Sequence, residues 1–206
     1  MTPLSPSPLP RLIALCGKPG SGKTTAAEIL RDKLGYTIAD DGLPLRQMAM
    51  QHLGLTEHQV FTQEGKLETV NLVGQDHTVR SILGEIGNAF EEKFGGDVIP
   101  YMTHRSLDPT KTYVMGSVRR IQGHYWGAQG ALVIEIDRPD VDPSPYNFDH
   151  YDPAAVHVVV LNDGPARGLH HAESILRLKE QLWEAINGPV ASALGIHDQN
   201  QIEAAE

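Results

Sequence analysis

The stretch from Leu12 to Gly35 constrains the fold more than any other part of this 206-residue chain. Leu12-Ile13-Ala14-Leu15-Cys16 is a continuous apolar run of the kind that forms a strand buried on both faces. Gly17-Lys18-Pro19-Gly20-Ser21-Gly22-Lys23-Thr24 follows and satisfies the pattern G-x-x-x-x-G-K-[ST]. Lys23 to Leu34 then has helical spacing, with Ala26, Ile29, Leu30 and Leu34 apolar and Gly35 placed as a C-cap. Each part has a physical use. Glycines let the backbone fold closely around an anion with successive N–H groups pointing inward, and a helix N-terminus adds its positive end. A lysine at position 23 reaches the β- and γ-phosphates, and a hydroxyl at Thr24 is placed to ligate Mg²⁺. The expected ATP-binding positions are therefore Gly20, Ser21, Gly22, Lys23, Thr24 and Thr25, with Thr24 as the metal ligand. The motif predicts a nucleoside triphosphate site.

The remaining chain alternates strand and helix signals. Tyr36–Ala39, Tyr113–Val118, Ala131–Ile136 and Val156–Leu161 read as short strands. Leu45–Leu53, opened by Pro44, Thr78–Phe94, and a segment from about Leu169 to Ile186 read as helices. In Thr78–Phe94 the apolar stripe is Val79, Ile82, Leu83, Ile86 and Phe90, stopped by Gly95-Gly96. Gly54–His77 loses periodicity and is expected to be an acceptor-side insertion or mobile subdomain. Asp137–Pro153, rich in Pro and Asp, is expected to be a lid loop. Met1–Pro10, with four prolines, is expected to be a flexible lead-in, and residues 191–206 a tail. The fold class expected is α/β, a parallel-sheet kinase-type core with an acceptor-binding insertion and a short lid.

Composition narrows the function classes. Seventeen basic against 26 acidic residues give a net charge of −9, which opposes general binding to nucleic acid or acidic membranes. Cys16 is the only cysteine, so neither an intrachain disulfide nor a multi-cysteine zinc site can form. No apolar run approaches the ~20 residues of a membrane span, and the first ten residues do not read as a secretory signal, so the expected compartment is cytoplasmic. No N/T-K-x-D or LSGGQ-like motif is present, which argues against a small GTPase or an ABC-type ATPase. Val133-Ile134-Glu135-Ile136-Asp137 mimics an apolar strand ending in acid, as in helicases and recombinases, but lies late in the chain. A compact phosphotransferase remains, and it needs arginines from several elements to neutralise two sets of phosphates. Arg46, Arg80, Arg105, Arg119, Arg120, Arg138, Arg167 and Arg177 form that reserve.

The other conspicuous residues have plainer readings. His170-His171 reads as a solvated or capping feature, and Glu91-Glu92 as a solvated helix face. Trp126, with Tyr125, and Trp183 read as core. Asp40-Asp41 reads as a binding or structural pair, because an ionised phosphate acceptor needs no general base.

Thr78-Val79-Arg80-Ser81-Ile82-Leu83-Gly84-Glu85-Ile86-Gly87-Asn88 resembles the V-R-x-L-L-Q-x-L-G-T stretch of phage-type deoxynucleoside monophosphate kinases. Ser117-Val118-Arg119 is similar to the D-x-R of that family. Gly130–Ile134, Arg138-Pro139, the Asn162-Asp163-Gly164 turn and the segment from Ala39-Asp40 to Leu45-Arg46 continue the likeness. The resemblance implies that Arg80 holds the acceptor monophosphate, with Gly87 and Asn88 close to the acceptor nucleotide. It implies Asp40 and Arg46 in the acceptor pocket, Arg119 between donor and acceptor phosphates, and Arg138 as a lid arginine. Asn162 and Gly164 would border the donor adenine, and Tyr101 is a candidate to stack on the acceptor base. Three positions depart from the family: Gly84 replaces its Gln, Asn88 its Thr and Ser117 its Asp. The first two fit a changed acceptor-base preference.

The function expected is transfer of the ATP γ-phosphoryl group to a nucleoside, or deoxynucleoside, monophosphate with Mg²⁺. The catalytic set is Lys23, Arg80, Arg119 and Arg138. Partners are small nucleotides, with room for a homodimer, in the host cytoplasm if the chain is phage-encoded. Two rivals stand beside it: a kinase of another small acceptor, such as dephospho-coenzyme A or a sugar acid, and a regulatory or packaging module that binds nucleotide without kinase activity.

Overall fold

The computed structural model describes residues 9–164 and 171–188, without the side chains of residues 148, 171 and 172. The described residues form two compact units. One contains the chain up to Ala39 and from Asp108 onward; the other is Asp40–Leu107.

The first unit is built on a five-stranded sheet. Its strands are β1 (Leu12–Cys16), β2 (Thr37–Ala39), β5 (Tyr113–Met115), β6 (Leu132–Asp137) and β7 (Val158–Leu161), in the order β2-β5-β1-β6-β7. All four neighbouring pairs are parallel. The apolar run of β1 is explained by this place: it is the central strand, and every residue in it is buried. One face of the sheet, through Ile13, Leu15, Leu132, Ile134 and Ile136, packs on α1 (Lys23–Leu34) and α7 (His171–Asn187). Leu30, Leu178 and Leu182 are the buried helix side of that layer. The other face carries α6 (Gln122–Ala128), which approaches closely because Gly123 has no side chain. A Cβ there would lie 2.7 Å from Ala155 Cβ and 3.7 Å from Val133 Cγ1.

The second unit contains α2 (Leu43–Leu53), α3 (Glu57–Phe61), α4 (Val79–Phe94), α5 (Val98–His104) and the antiparallel hairpin β3 (Thr69–Leu72)–β4 (Gln75–Thr78). Ala49, Leu55, Val60, Val79 and Ile82 form its core, with Leu83 and Ile86 packed against it. Thr78 caps α4 by accepting from Ser81 N.

The strand and helix readings are matched with short shifts. The strand from Tyr113 ends at Met115, although Val118 N still donates to Leu15 O at 3.1 Å. The last helix is described from His171; the start expected near Leu169, together with Arg167 and His170, lies outside the described residues, as do residues 1–8 and the tail. Gly54–His77 is a correction to the reading without pattern, because it holds a helix, a 3₁₀ turn and a hairpin. Its signals were local. Thr56 and Gln59 form a capping box, and the hairpin turns at Val73-Gly74, both with positive φ. Trp126 is fully buried, as expected, whereas Trp183 is 51% exposed and is not core.

Trp126→Ala should cost about 3–5 kcal/mol by leaving a large cavity between α6 and the sheet. Urea unfolding followed by circular dichroism measures it; a midpoint equal to that of the parent would contradict this packing.

Candidate functional site

The loop between β1 and α1 has the backbone that its composition requires. Gly17, Gly20 and Gly22 have φ of +135°, +83° and +104°. At Gly22 both conformation and space demand glycine, since a Cβ would sit 2.4 Å from Asn162 Nδ2. That amide donates to Ser21 O at 2.8 Å, so the turn after β7 braces the loop from behind. Ser21 N closes the loop by donating to Lys18 O at 3.1 Å. The Ser21 hydroxyl is buried and, among the described residues, has no hydrogen-bond partner.

Lys23 folds back over this loop. Its Nζ donates to Gly17 O and Lys18 O, each at 2.7 Å. Burial, and then the neighbouring Arg119 charge, push its ammonium down to about 8 from the ordinary 10.5. Burial is also the main cause that pushes the Cys16 thiol, at the end of β1, up to about 12, with the Glu135 carboxylate second. Cys16 is therefore a neutral core residue rather than a nucleophile at pH 7. Thr24 is exposed at the start of α1, and Thr25 is half-buried. One hard hydroxyl oxygen fits a Mg²⁺ ion that takes its other ligands from phosphate and water. Among the described residues no group of three or more His, Cys, Asp or Glu could hold a metal.

The other residues expected on the donor side are distributed unevenly. Arg119, past the end of β5, pairs with Asp149 at 3.2 Å and keeps 37% of its side chain exposed. Arg138 is 8% exposed and already engaged: Nε donates to Asp140 Oδ1 at 3.1 Å and Nη2 to Gly164 O at 2.9 Å. Here it ties the start of the Pro- and Asp-rich loop after β6 to the turn after β7. Asn162 is likewise turned to the loop backbone, and Gly164 is covered by Ser174, whose Oγ would lie 2.2 Å from an added Cβ. Tyr151 donates a very short hydrogen bond to Glu135, and burial followed by that bond raises the phenol well above its ordinary range.

The residues expected on the acceptor side all belong to the second unit. Arg46 forms an ion pair with Asp40 and lies over the Phe61 ring, 5.4 Å from its centre. Gly42 N donates to Asp40 Oδ1 at 2.9 Å, which fixes the carboxylate at the start of α2. Arg80 occupies the first turn of α4, on a helix held by Val79 and Ile82. Gly87 is buried, and a Cβ there would make ordinary van der Waals contact with Leu45 and Ile99, at 3.4 and 3.7 Å. Asn88 is half-buried on α4, and Tyr101 on α5 is 51% exposed. Sequence reasoning passed over Phe61, which sat in a stretch read as patternless, and Asp149, one of several acids in a Pro-rich loop.

A depressed lysine gives two pH effects of opposite sign. The unfolded chain holds more protons between about pH 8 and 10.5, so this group makes folding more favourable as pH rises through that window. A phosphate ligand that pairs with this ammonium should bind about tenfold more weakly at pH 9 than at pH 7. Calorimetric titration in buffers of differing ionisation enthalpy should also show proton uptake near pH 8. Pocket affinity that is flat across this range would rule out Lys23 as the titrating contact.

No family model matches the chain. Over 170 residues, 74% of this chain and 88% of the relative, it is 26% identical to a protein of Acanthamoeba polyphaga mimivirus described as "Putative deoxynucleotide monophosphate kinase". The α/β core with its parallel sheet is consistent with a P-loop kinase fold, and no helix among the described residues is long and apolar enough to cross a membrane. The chain is thus similar, at a distance, to a nucleotide kinase.

Proposed function

We propose that the protein is a nucleoside monophosphate kinase, acting on deoxynucleotides by preference, that transfers the γ-phosphoryl group of ATP to the acceptor phosphate. The observation that carries this reading is the loop at the end of β1, where left-handed glycines and a folded-back lysine leave carbonyl-bound Nζ beside Arg119. Arriving phosphates can exchange with those two carbonyls for the ammonium, a charge-assisted pairing stronger than the one it replaces. The distant likeness to a protein described as a deoxynucleotide monophosphate kinase supports the choice of acceptor.

An oxygen of the acceptor monophosphate attacks the γ-phosphorus as the bond from that phosphorus to the β–γ bridging oxygen breaks. The products are a diphosphate and ADP. The acceptor is ionised at neutral pH, so no proton has to be removed and no covalent enzyme intermediate is needed. Lys23 and Arg119 neutralise charge on the transferring group; Arg80, on the rigid α4, is assigned to the acceptor phosphate. Thr24 would hold Mg²⁺, which supplies further charge neutralisation when bound. Asp40, Arg46, Asn88 and Tyr101 are assigned to the acceptor nucleoside. The enzyme works in the cytoplasm on small nucleotides, and a homodimer is compatible with this activity.

Incubation with ATP, Mg²⁺ and each common ribo- or deoxynucleoside monophosphate should yield diphosphates, with ADP formed in equal amount. ADP that forms equally well without an acceptor would identify a nucleotide-hydrolysing module instead. Lys23→Met should lower transfer about 10²-fold or more while the protein stays folded. Arg80→Ala should weaken kcat/KM for the acceptor by about 2–4 kcal/mol and leave ATP binding nearly unchanged. Equal loss of both affinities would move Arg80 to the donor side or to the fold.

A further inference from the structure

Asp149 is the most deeply placed carboxylate near the loop, with 3% of its side chain exposed. Its Oδ1 lies 3.2 Å from Arg119 Nη1, and its Oδ2 accepts from Ser144 Oγ at 2.8 Å. Ser144 Oγ also accepts from Tyr146 N at 3.2 Å, and Asp149 N donates to Tyr146 O at 3.0 Å. The carboxylate thus has a fixed orientation before Arg119 is considered.

The loop that delivers it is tied to the arginine's own backbone. Arg120 N donates to His150 O at 2.6 Å, and Asp152 N donates to Arg120 O at 2.8 Å, closing a parallel bridge between Arg120 and Tyr151. Arg120 adopts φ +46° to make it, a conformation that non-glycine residues seldom take and that needs support from its surroundings. The chain holds an unfavourable backbone at the residue beside Arg119, and the result is a buried acid against one end of its guanidinium.

A buried carboxylate is costly without a partner, and a closed ion pair would satisfy it best. Here the carboxylate is buried while 37% of the Arg119 side chain remains exposed, so the pair reaches from the interior to the surface. Both charges also act on the Lys23 ammonium, Arg119 lowering and Asp149 raising its proton affinity. A flexible arginine loses rotamer freedom whenever it grips a transient ligand, and prior fixation lowers that cost. We propose that Asp149 is a positioning residue: with Ser144 behind it, it holds the Arg119 guanidinium beside Lys23 in the orientation that meets the phosphoryl group in transfer. The phosphoryl part rests on the kinase reading above; the fixation of Arg119 does not.

Two measurements on full-length protein separate these parts. In transfer assays, Asp149→Asn should lower kcat about 10- to 100-fold, the range seen when a partner of a reacting group is lost, with both KM values within about threefold. Asp149→Glu should recover part of it. Arg119→Ala combined with Asp149→Asn should be no slower than Arg119→Ala alone, since one residue acts through the other. In ¹⁵N guanidinium spectra, a signal assigned by its loss in Arg119→Lys should show restricted rotation in the parent and free rotation in Asp149→Asn. Ser144→Ala removes one hydrogen bond only and should shift both readouts the same way by less, which covers the case of an Asp149 variant that does not fold. Multiplicative losses in the double variant, or an Arg119 signal unchanged in Asp149→Asn and Ser144→Ala, would overturn the positioning role. A parent protein that phosphorylates no monophosphate would overturn the kinase reading, while the guanidinium spectra would still decide the fate of Asp149.

Discussion

The first unit depends on how the chain leaves its central strand. At the end of β1 the backbone must turn from a fully buried strand into a helix within six residues, and the turn lies where N–H and C=O groups need partners. Left-handed glycines make the turn possible, Ser21 N closes it on Lys18 O, and Asn162 covers Ser21 O. The carbonyls of Gly17 and Lys18 converge on one point, and the lysine ammonium occupies it. Removing any of these partners would leave a buried polar group unsatisfied, at about 1–3 kcal/mol each. The contacts that shape the loop therefore also pair its backbone groups, whereas the buried Ser21 hydroxyl has no partner among the described residues.

This explains why residues expected to face a nucleotide are found bracing the loop. Asn162 reaches Ser21, and Arg138 ties the end of β6 to Gly164. These contacts join the ends of β6 and β7 to the loop after β1, which are neighbours in the sheet. A parallel sheet places all its carboxyl ends on one edge, so support for a loop at one strand end comes from the next strand ends. Sequence distance is no guide to such contacts: Ser21 and Asn162 are 141 residues apart.

The legibility of the sequence follows the same division. β1, α1 and the Gly35 C-cap were readable because burial, helical period and capping all act over neighbouring residues. So was α4, whose stripe and Thr78 cap are local. α5 and α6 have seven residues each and were missed, because so short a helix shows no full period and α6 is held to the sheet through Gly123. The 54–77 stretch was misread for another reason. β3 alternates, with Val70 and Leu72 half-buried and Thr69 and Asn71 exposed, but over four residues only, and β4 (Gln75-Asp76-His77-Thr78) has no apolar residue to extend the pattern. At the site, the loop and Lys23 were legible from spacing, whereas the bracing place of Arg138 and the partner of Arg119 depend on chain crossings that no spacing records.

Charge completes the account. The chain carries nine more acidic than basic residues, yet Lys23 and Arg119 lie close enough for one to lower the proton affinity of the other. Two cations gathered in a half-buried place repel, and a nearby anion offsets part of that cost. Asp149 supplies one, and it does so from a loop stitched to the backbone beside Arg119. A fixed carboxylate of this kind offsets part of the repulsion, and 37% of the Arg119 side chain stays exposed beside it. A net negative charge opposes extended polyanions, whose charge must approach many surface points at once. A single nucleotide brings its charge to one point. The pairing of Lys23 with Arg119 is therefore a local inversion of sign that the net charge conceals.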